Sequence, residues 1–237
     1  MAQAISVGMG GTNYLRLPIR LWPGLYFWAF TKIAKPFLYD TAASYGRGHL
    51  GERILGSYAG VRELNIVTKL GLSTDSSTSL ETQKRWTEEF AAENLSTLFW
   101  DSLARLRSRD VFGLLLHCAG NGFDFSSHVQ ELQRLRRDGL TKRIGFSADT
   151  ISQIPDDYFW ADIIELNTCL LDDVAIRPGT VVILNRFCQT EGALGYVERL
   201  IERSENVHVV ILLGSSRMRR VLACARKVRQ IDANVSR

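Results

Sequence analysis

Eight short apolar runs recur along this chain, and they constrain its fold more than any other feature. They are rich in valine, isoleucine and leucine and are continuous rather than alternating, which is typical of strands covered on both faces. Amphipathic segments separate several of them. Because parallel strands need crossovers of about a dozen residues, the order predicts an α/β fold closed as a (β/α)8 TIM barrel. The runs are residues 5–8, 37–40, 65–69, 113–117, 143–147, 162–166, 180–185 and 208–214.

The segments between the runs favour helices. Thr78 with Glu81 has the spacing of a capping box, and its apolar stripe is expected to continue through Leu95, Phe99, Leu103 and Leu106. Further helices are predicted at residues 127–138, 194–203 and 216–229. The connection 167–179 is short and contains Pro178, so the sixth helix is expected to be vestigial. The 237 residues suit one shortened barrel domain spanning 1–237.

Composition excludes several other classes of protein. With 46% hydrophobic and 23% charged residues, the chain is too apolar for a disordered protein. No uncharged stretch reaches the roughly 18 apolar residues of a membrane span, and the start has no secretory pattern, so we expect a cytoplasmic protein that does not engage a membrane. Without a C-x-x-C pair, we expect no metal and no disulfide framework, only reduced, buried thiols. The four cysteines are Cys118, Cys169, Cys188 and Cys224.

Ionisable residues end three neighbouring predicted strands. Asp40, Lys69 and His117 each close an apolar run, and Tyr45 follows Asp40 by five residues. The carboxyl ends of barrel strands meet at one mouth, so these four groups are expected to converge there. Singly, each has an ordinary explanation: a turn cap, a solvated strand end, a packed tyrosine or an interior histidine. Their joint placement favours an active site.

The chain resembles the aldo-keto reductase superfamily over about residues 8–226. The stretch 40–48 is similar to its DTA-x-x-YG-x-G motif, and Glu52, Leu55 and Gly56 follow at the family's spacing. Segments 67–69, 102–106, 114–117 and 139–147 are similar to its TK, SL-x-RL, strand-four histidine and G-x-x-x-x-IG-x-S segments. The resemblance implies a tetrad of Asp40, Tyr45, Lys69 and His117 with a nicotinamide cofactor, NADPH or alternatively NADH.

The chemistry of carbonyl reduction explains why such a tetrad would be needed. Hydride addition leaves an oxyanion that must be protonated, and a tyrosine with an ordinary pKa near 10 is a poor acid at neutral pH. The ammonium of Lys69 would stabilise the anion of Tyr45, and Asp40 would hold that ammonium in place. His117 could orient the substrate carbonyl by a hydrogen bond.

The carboxyl-terminal segment is basic and could bind phosphate. The last strand runs into a predicted helix through Gly214, Ser215 and Ser216, whose free backbone N–H groups would face the mouth. Arg220 falls where the family places an arginine for the adenosine 2′-phosphate. A solvated helix face and nucleic-acid binding are the alternatives, although no aromatics are interleaved with the basic residues, so no nucleic-acid partner is expected.

Other cofactor contacts are implied by the resemblance, with three departures. The turn containing Gly10 and Thr12 is similar to the family's first-strand turn beside the cofactor. Of the usual Ser, Asn and Gln that bind the nicotinamide carboxamide, Ser147 is present, whereas Ala148 and Glu165 replace the other two. Arg186 stands where an aromatic residue often stacks on the nicotinamide.

Two functions therefore remain open. The first is NADPH-dependent reduction of an aldehyde or ketone, or the reverse alcohol oxidation, with a small-molecule carbonyl or alcohol substrate. The second is a non-redox barrel that senses a nucleotide or binds a partner, which the altered carboxamide contacts favour and the four tetrad residues disfavour. Candidate specificity loops are residues 22–30, residues 120–125 and the carboxyl-terminal tail, and the oligomeric state is left open.

Overall fold

A closed barrel of eight parallel strands, joined in chain order, forms the centre of the molecule. The structure, a computed structural model, describes residues 4–11, 22–59, 63–72, 86–204, 206–214 and 218–235. All eight predicted strands are confirmed, and each boundary lies within two residues of its predicted position. The strands are β1 Ala4–Met9, β2 Leu38–Asp40, β3 Ile66–Leu70, β4 Val111–His117, β5 Thr141–Ala148, β6 Ile163–Asn167, β7 Val181–Asn185 and β8 His208–Leu213.

Helices surround the barrel, and none in the described ranges is long and apolar enough to cross a membrane. The expectation of a loop at residues 22–30 is wrong, because Pro23 opens a helix whose side chains Tyr26, Phe27 and Phe30 are buried. The helices are α1 Pro23–Ala34, α2 Leu50–Ala59, α3 Ala92–Leu106, α4 Ser126–Arg137, α5 Ala193–Arg203 and α6 Met218–Val235.

The predicted helix that continues from Thr78 is only partly described. Thr78 and Glu81 lie outside the described residues. Residues 89–91 interrupt the helical conformation, so α3 begins at Ala92 as a separate helix. The predicted apolar stripe is nevertheless its buried face.

The barrel is shortened on one side. After β6 the chain forms only the 3-10 helix Thr168–Asp173, which confirms the vestigial sixth helix. After β5 it likewise forms only the 3-10 helix Ile151–Gln153, a second reduction that the apolar pattern did not reveal. This side of the mouth is therefore built from short loops.

The apolar core lies in two layers, one between the strands and the helices and one inside the barrel. The inner layer consists of Leu38, Val67, Leu115, Ile163, Val181, Ile183, Val210 and Leu212. Side chains alternate along a strand, so residues two positions further on share the inward face. Two positions after five of these inner residues come Asp40, Lys69, His117, Glu165 and Asn185. The inward face thus changes from apolar to polar toward the mouth.

Several residues of the family-like motifs stabilise the packing of the helices and strands and do not line the mouth of the barrel. Gly56 lets α2 approach α3 closely, because a Cβ atom there would lie 2.1 Å from the carbonyl oxygen of Arg105. The fully buried Glu52 accepts hydrogen bonds from Thr68 Oγ1 at 2.7 Å and Arg105 Nε at 2.6 Å. These contacts join α2, β3 and α3, so they fix the strand that carries Lys69.

The four cysteines are free thiols, but the expectation that all are buried is wrong. Cys169 and Cys188 are exposed, and Cys118 and Cys224 are half-buried. The Sγ atoms of Cys188 and Cys224 lie 2.9 Å apart, which brings the loop after β7 against α6.

Candidate active site

Three charged residues from β2, β3 and β6 meet at the top of the barrel interior. Lys69 Nζ donates to Asp40 Oδ1 and forms an ion pair with Glu165 Oε2 at 2.8 Å. The side chains of Lys69, Asp40 and Glu165 are only 1%, 2% and 4% exposed. One ammonium is therefore held between two buried carboxylates.

The close packing of these three charged groups shifts the pKa of Asp40 and of Lys69. Burial, and then the charge of Glu165, raise the pKa of Asp40 to about 8 despite the opposing effect of Lys69. Burial by itself lowers the pKa of Lys69, but the two carboxylates outweigh it and raise that pKa well above its usual value. Lys69 is thus a fixed cation at neutral pH, whereas Asp40 can hold a proton.

Tyr45 lies beside this cluster, on the loop between β2 and α2. The Nζ atom of Lys69 is 5.3 Å from the centre of its ring, and the side chain lines a cavity. Burial of the hydroxyl group raises the pKa of Tyr45, and the charges of Asp40 and Glu165 add to that rise against the lowering effect of Lys69. Tyr45 therefore keeps its proton at neutral pH, although the raised pKa makes it a weaker acid than a free tyrosine.

His117, at the end of β4, packs edge-on against Tyr45 with ring centres 5.9 Å apart. Its Nδ1 atom lies 3.3 Å from Ser44 Oγ, which belongs to the same loop as Tyr45. Ser147 on β5 is in register with His117 and faces the barrel interior. The structure thus brings the four residues of the expected tetrad together at one end of the barrel.

A cavity of about 260 Å³ opens over these residues at the carboxyl ends of the strands. At the bottom of this cavity, Gly11 packs so closely against its neighbours that no side chain would fit. A Cβ atom there would lie 2.5 Å from the carbonyl oxygen of Asp40 and 2.8 Å from Tyr45 Cε2. The Gly11 amide also lies 3.4 Å from Asp40 Oδ2, to which it donates. The lining comprises Gly10, Gly11, Asp40, Tyr45, Asp149, Glu165, Asn185, Arg186, Phe187, Cys188, Gln189, Leu212 and Gly214.

Asn185 and Asp149 are site residues that sequence reasoning missed. The side-chain amide of Asn185 donates to Asp149 Oδ1 at 3.2 Å and to Glu165 Oε1 at 3.3 Å. Arg186 forms an ion pair with Asp149 Oδ2 at 2.9 Å and keeps a half-exposed side chain. The inward position of Asn185, two residues after Ile183, was the signal that could have revealed it.

The positions that correspond to the family's carboxamide contacts do not share one face of the barrel wall. Ser147 and Glu165 face inward, whereas Ala148 faces outward. Ser147 Oγ and Asn185 Oδ1 are buried with no hydrogen-bond partner among the described residues. Ala148 instead points outward into the apolar layer beneath the helices. An asparagine at that position would place its amide among apolar side chains rather than over the cavity.

Only some of the residues expected to bind the cofactor phosphates and the first-strand turn beside them lie within the described ranges. Gly214 lines the cavity, and Arg220 lies exposed in the first turn of α6 without lining it. Thr12, Ser215 and Ser216 lie outside the described residues. Their expected contacts therefore stay predictions.

Comparison with known proteins identifies the family. The model of the aldo/keto reductase family matches residues 33–178, more than half of the chain and all of the segment from β2 through β6. A comparison with curated proteins gave no match.

Solved structures with the same fold cover nearly the whole chain. A protein from Pseudomonas aeruginosa assigned to the aldo-keto reductases has 20% identity and a TM-score of 0.72, covering 100% of this chain and 92% of its own. The holo form of an aldo-keto reductase from Bacillus halodurans has 13% identity and a TM-score of 0.63, covering 98% and 92%. A Bombyx mori aldo-keto reductase in complex with NADP has 16% identity and a TM-score of 0.59, covering 98% and 87%.

The barrel topology and the family match lead to one assignment. Identities of 20% or less establish the fold alone, whereas the family match covers the strands that carry Asp40, Lys69, His117 and Glu165. The chain belongs to the aldo/keto reductase family, a family of oxidoreductases.

Proposed function

We propose that this protein reduces a small aldehyde or ketone to the alcohol, with NADPH as the hydride donor and NADH as a weaker substitute. The observation that carries the proposal is the meeting of Asp40, Tyr45, Lys69 and His117 beside one cavity at the strand ends. Family membership supports a reaction on small carbonyl compounds. The Bombyx mori neighbour solved with NADP supports a nicotinamide cofactor.

The residues of the cavity fit a nicotinamide. Its carboxamide has one acceptor oxygen and two N–H donors. Asn185 Oδ1, on the cavity lining, can accept from the NH2 group. Ser147 Oγ, on the inward face of β5 but not itself part of the lining, is the donor that we assign to the oxygen; both atoms are buried without a described partner. The glycines Gly10, Gly11 and Gly214 leave backbone rather than side chains at the edge of the cavity. Glu165 is engaged by Lys69 and Asn185, so Asn185 is the acceptor that we assign to the carboxamide.

A bound nicotinamide would supply hydride to the carbonyl carbon, and the chain's own residues would handle the proton and the substrate. Tyr45, protonated at neutral pH, donates its hydroxyl proton to the developing alkoxide. Lys69 stabilises the tyrosinate that is left, and Asp40 and Glu165 keep the ammonium in position. His117 orients the carbonyl oxygen through a hydrogen bond. The raised pKa keeps the proton on Tyr45 at neutral pH but makes the hydroxyl a weaker acid, and the charge of Lys69 is the contribution that opposes this rise.

The alternative of a non-redox nucleotide-binding barrel has one observation in its favour. Ala148 lies in the apolar layer, so one amide contact expected from the family is missing. The decisive experiment is a fluorescence titration of the purified chain with NADPH and NADH, followed by an assay of NADPH consumption with small aldehydes and ketones. Saturable binding with turnover supports the reductase. Binding without turnover on any carbonyl favours the non-redox barrel, and no binding contradicts both.

A further inference from the structure

The charge balance at the floor of the cavity is unusual for a buried site. Asp40, Lys69 and Glu165, which we call the anionic floor, contribute two carboxylates and one ammonium, all almost completely buried. When all three are ionised, the floor carries one excess negative charge. Such a charge is costly in a buried site unless a further cation or a proton compensates it.

Among the described residues, the other charged groups at the cavity leave that excess in place. Arg186 lines the cavity, but its guanidinium pairs with Asp149, which is itself a carboxylate on the cavity wall. Glu165 Oε1 accepts from the neutral amide of Asn185, which adds no charge. Glu165 Oε2 has no donor in hydrogen-bonding geometry among the described residues beyond its ion pair with Lys69.

The excess charge faces the ligand space. Asp40 and Glu165 both line the cavity together with Gly10, Gly11 and Gly214. The two redox forms of a nicotinamide differ in charge: the oxidised ring is a cation, and the reduced ring is neutral. We propose that the anionic floor selects the oxidised cofactor over the reduced one, with Glu165 as the determining residue; the inference rests on the proposed nicotinamide function.

The selection has a direct consequence for hydride transfer. Binding and redox equilibria form one thermodynamic cycle, so tighter binding of the oxidised form by some factor makes the bound reduced form a stronger hydride donor by the same factor. A unit charge acting at short range in a partly buried site is worth about tenfold or more. Where the floor carries its excess charge, Glu165 thus favours reduction of the substrate and slows the release of the oxidised cofactor.

A proton competes with the oxidised ring for the same charge. The titratable and charged groups around Glu165 come from several elements. They are Asp40 on β2, Tyr45 on the following loop, Lys69 on β3, His117 on β4, and the Asp149–Arg186 pair above β5 and β7. Of the described carboxylates among them, Asp40 has its pKa raised to about 8 by burial and by Glu165. Below that pH a proton on Asp40 cancels the excess charge. The preference for the oxidised cofactor should therefore grow as the pH rises through this range.

The test compares cofactor affinities rather than activity. Dissociation constants for NADP+ and NADPH are measured by calorimetry at about pH 9 on the native chain, on Glu165→Gln and on Glu131→Gln. The last variant removes a glutamate charge on α4 that pairs with Arg134, outside the cavity. We expect the ratio of the NADPH constant to the NADP+ constant to fall about tenfold in Glu165→Gln and to be unchanged in Glu131→Gln. Both nucleotides carry the same phosphates, so phosphate effects cancel in the ratio.

The outcomes separate this inference from the proposed function. If both nucleotides bind and Glu165→Gln keeps the native ratio, the inference is overturned while the reductase proposal stands. If neither nucleotide binds the native chain, both fail. Should Glu165→Gln not fold, the native chain provides its own test: the ratio must rise between about pH 7 and about pH 9, and a constant ratio overturns the inference.

Discussion

Lys69 is the residue on which the charges of the cavity converge. A buried ammonium needs close partners, and Asp40 and Glu165 supply two. Burial is the main cause of the raised pKa of Asp40 and of Tyr45, and the charge of the second carboxylate, Glu165, adds to both shifts. The site is therefore set for a protonated tyrosine and a cationic lysine, which is the state needed to reduce a carbonyl.

The choice between NADPH and NADH is proposed to depend on Arg220. This residue is exposed in the first turn of α6, six residues after Gly214 in the sequence. If it binds the 2′-phosphate, Arg220→Ala should weaken NADPH binding by about 1.5 to 3 kcal/mol and leave NADH binding nearly unchanged, because only NADPH carries that phosphate.

The matched control for Arg220→Ala is Arg226→Ala, an exposed arginine six residues further along the same helix. It should change neither affinity by more than a small screened effect. Fluorescence titration with both nucleotides measures the two constants. Equal losses for NADPH and NADH in Arg220→Ala would show that Arg220 acts on the helix rather than on the phosphate.

For single residues, the sequence predicted which strand ends carry ionisable side chains, but it did not predict all the contacts of those side chains. Asp40, Lys69 and His117 could be predicted because each ends a continuous apolar run. The ion pair between Lys69 and Glu165 could not, because it joins β3 to β6 across the barrel interior, and that geometry depends on closure. The contact between Cys188 and Cys224 escaped prediction because it depends on how the loop after β7 packs against α6.

Among the secondary-structure elements, the packing of α2 on α3 is the contact that most directly supports the site. Gly56 lies against the backbone of α3, and Glu52 joins both helices to β3. Gly56→Ala should lower the free energy of unfolding by about 1 to 3 kcal/mol, because a methyl group 2.1 Å from a carbonyl oxygen forces the helices apart.

Gly24→Ala provides the control for that variant. Gly24 lies in α1, and a Cβ atom there would meet nothing within 4 Å. Alanine should leave stability unchanged or raise it by about 0.5 to 1 kcal/mol through helix propensity. Thermal and urea unfolding of both variants measure their free energies of unfolding relative to the native protein. A Gly56→Ala protein as stable as the native one would contradict the close approach of the two helices.

The strands were predictable as elements, whereas helices α1 and α2 were not. Continuous runs of valine, isoleucine and leucine mark strands buried on both faces, and all eight were located within two residues. In α1 the aromatic residues do not form a single buried stripe of the kind that marks α3, because Trp28 is exposed whereas Tyr26, Phe27 and Phe30 are buried. Its helical state follows from Pro23 and from tertiary packing against the barrel.

For the molecule as a whole, the barrel determines where chemistry can occur. Its interior is filled by apolar side chains in the middle and becomes polar at the carboxyl ends of the strands, where the cavity opens. The loss of regular helices after β5 and β6 leaves short 3-10 segments beside the mouth. The cavity of about 260 Å³ at this end is where the proposed reaction would take place.

The central claim is that Tyr45 protonates the product of hydride transfer at this mouth, and single-turnover kinetics with NADPH and a small aldehyde test it most directly. Tyr45→Phe should slow the step by about 100- to 10,000-fold, because a positioned proton donor is lost, and leave NADPH affinity unchanged. The matched control is Tyr58→Phe, a buried tyrosine of α2 whose hydroxyl contacts Thr31 outside the cavity; it should turn over at the native rate. A Tyr45→Phe protein that transfers hydride as fast as the Tyr58→Phe control would contradict the account.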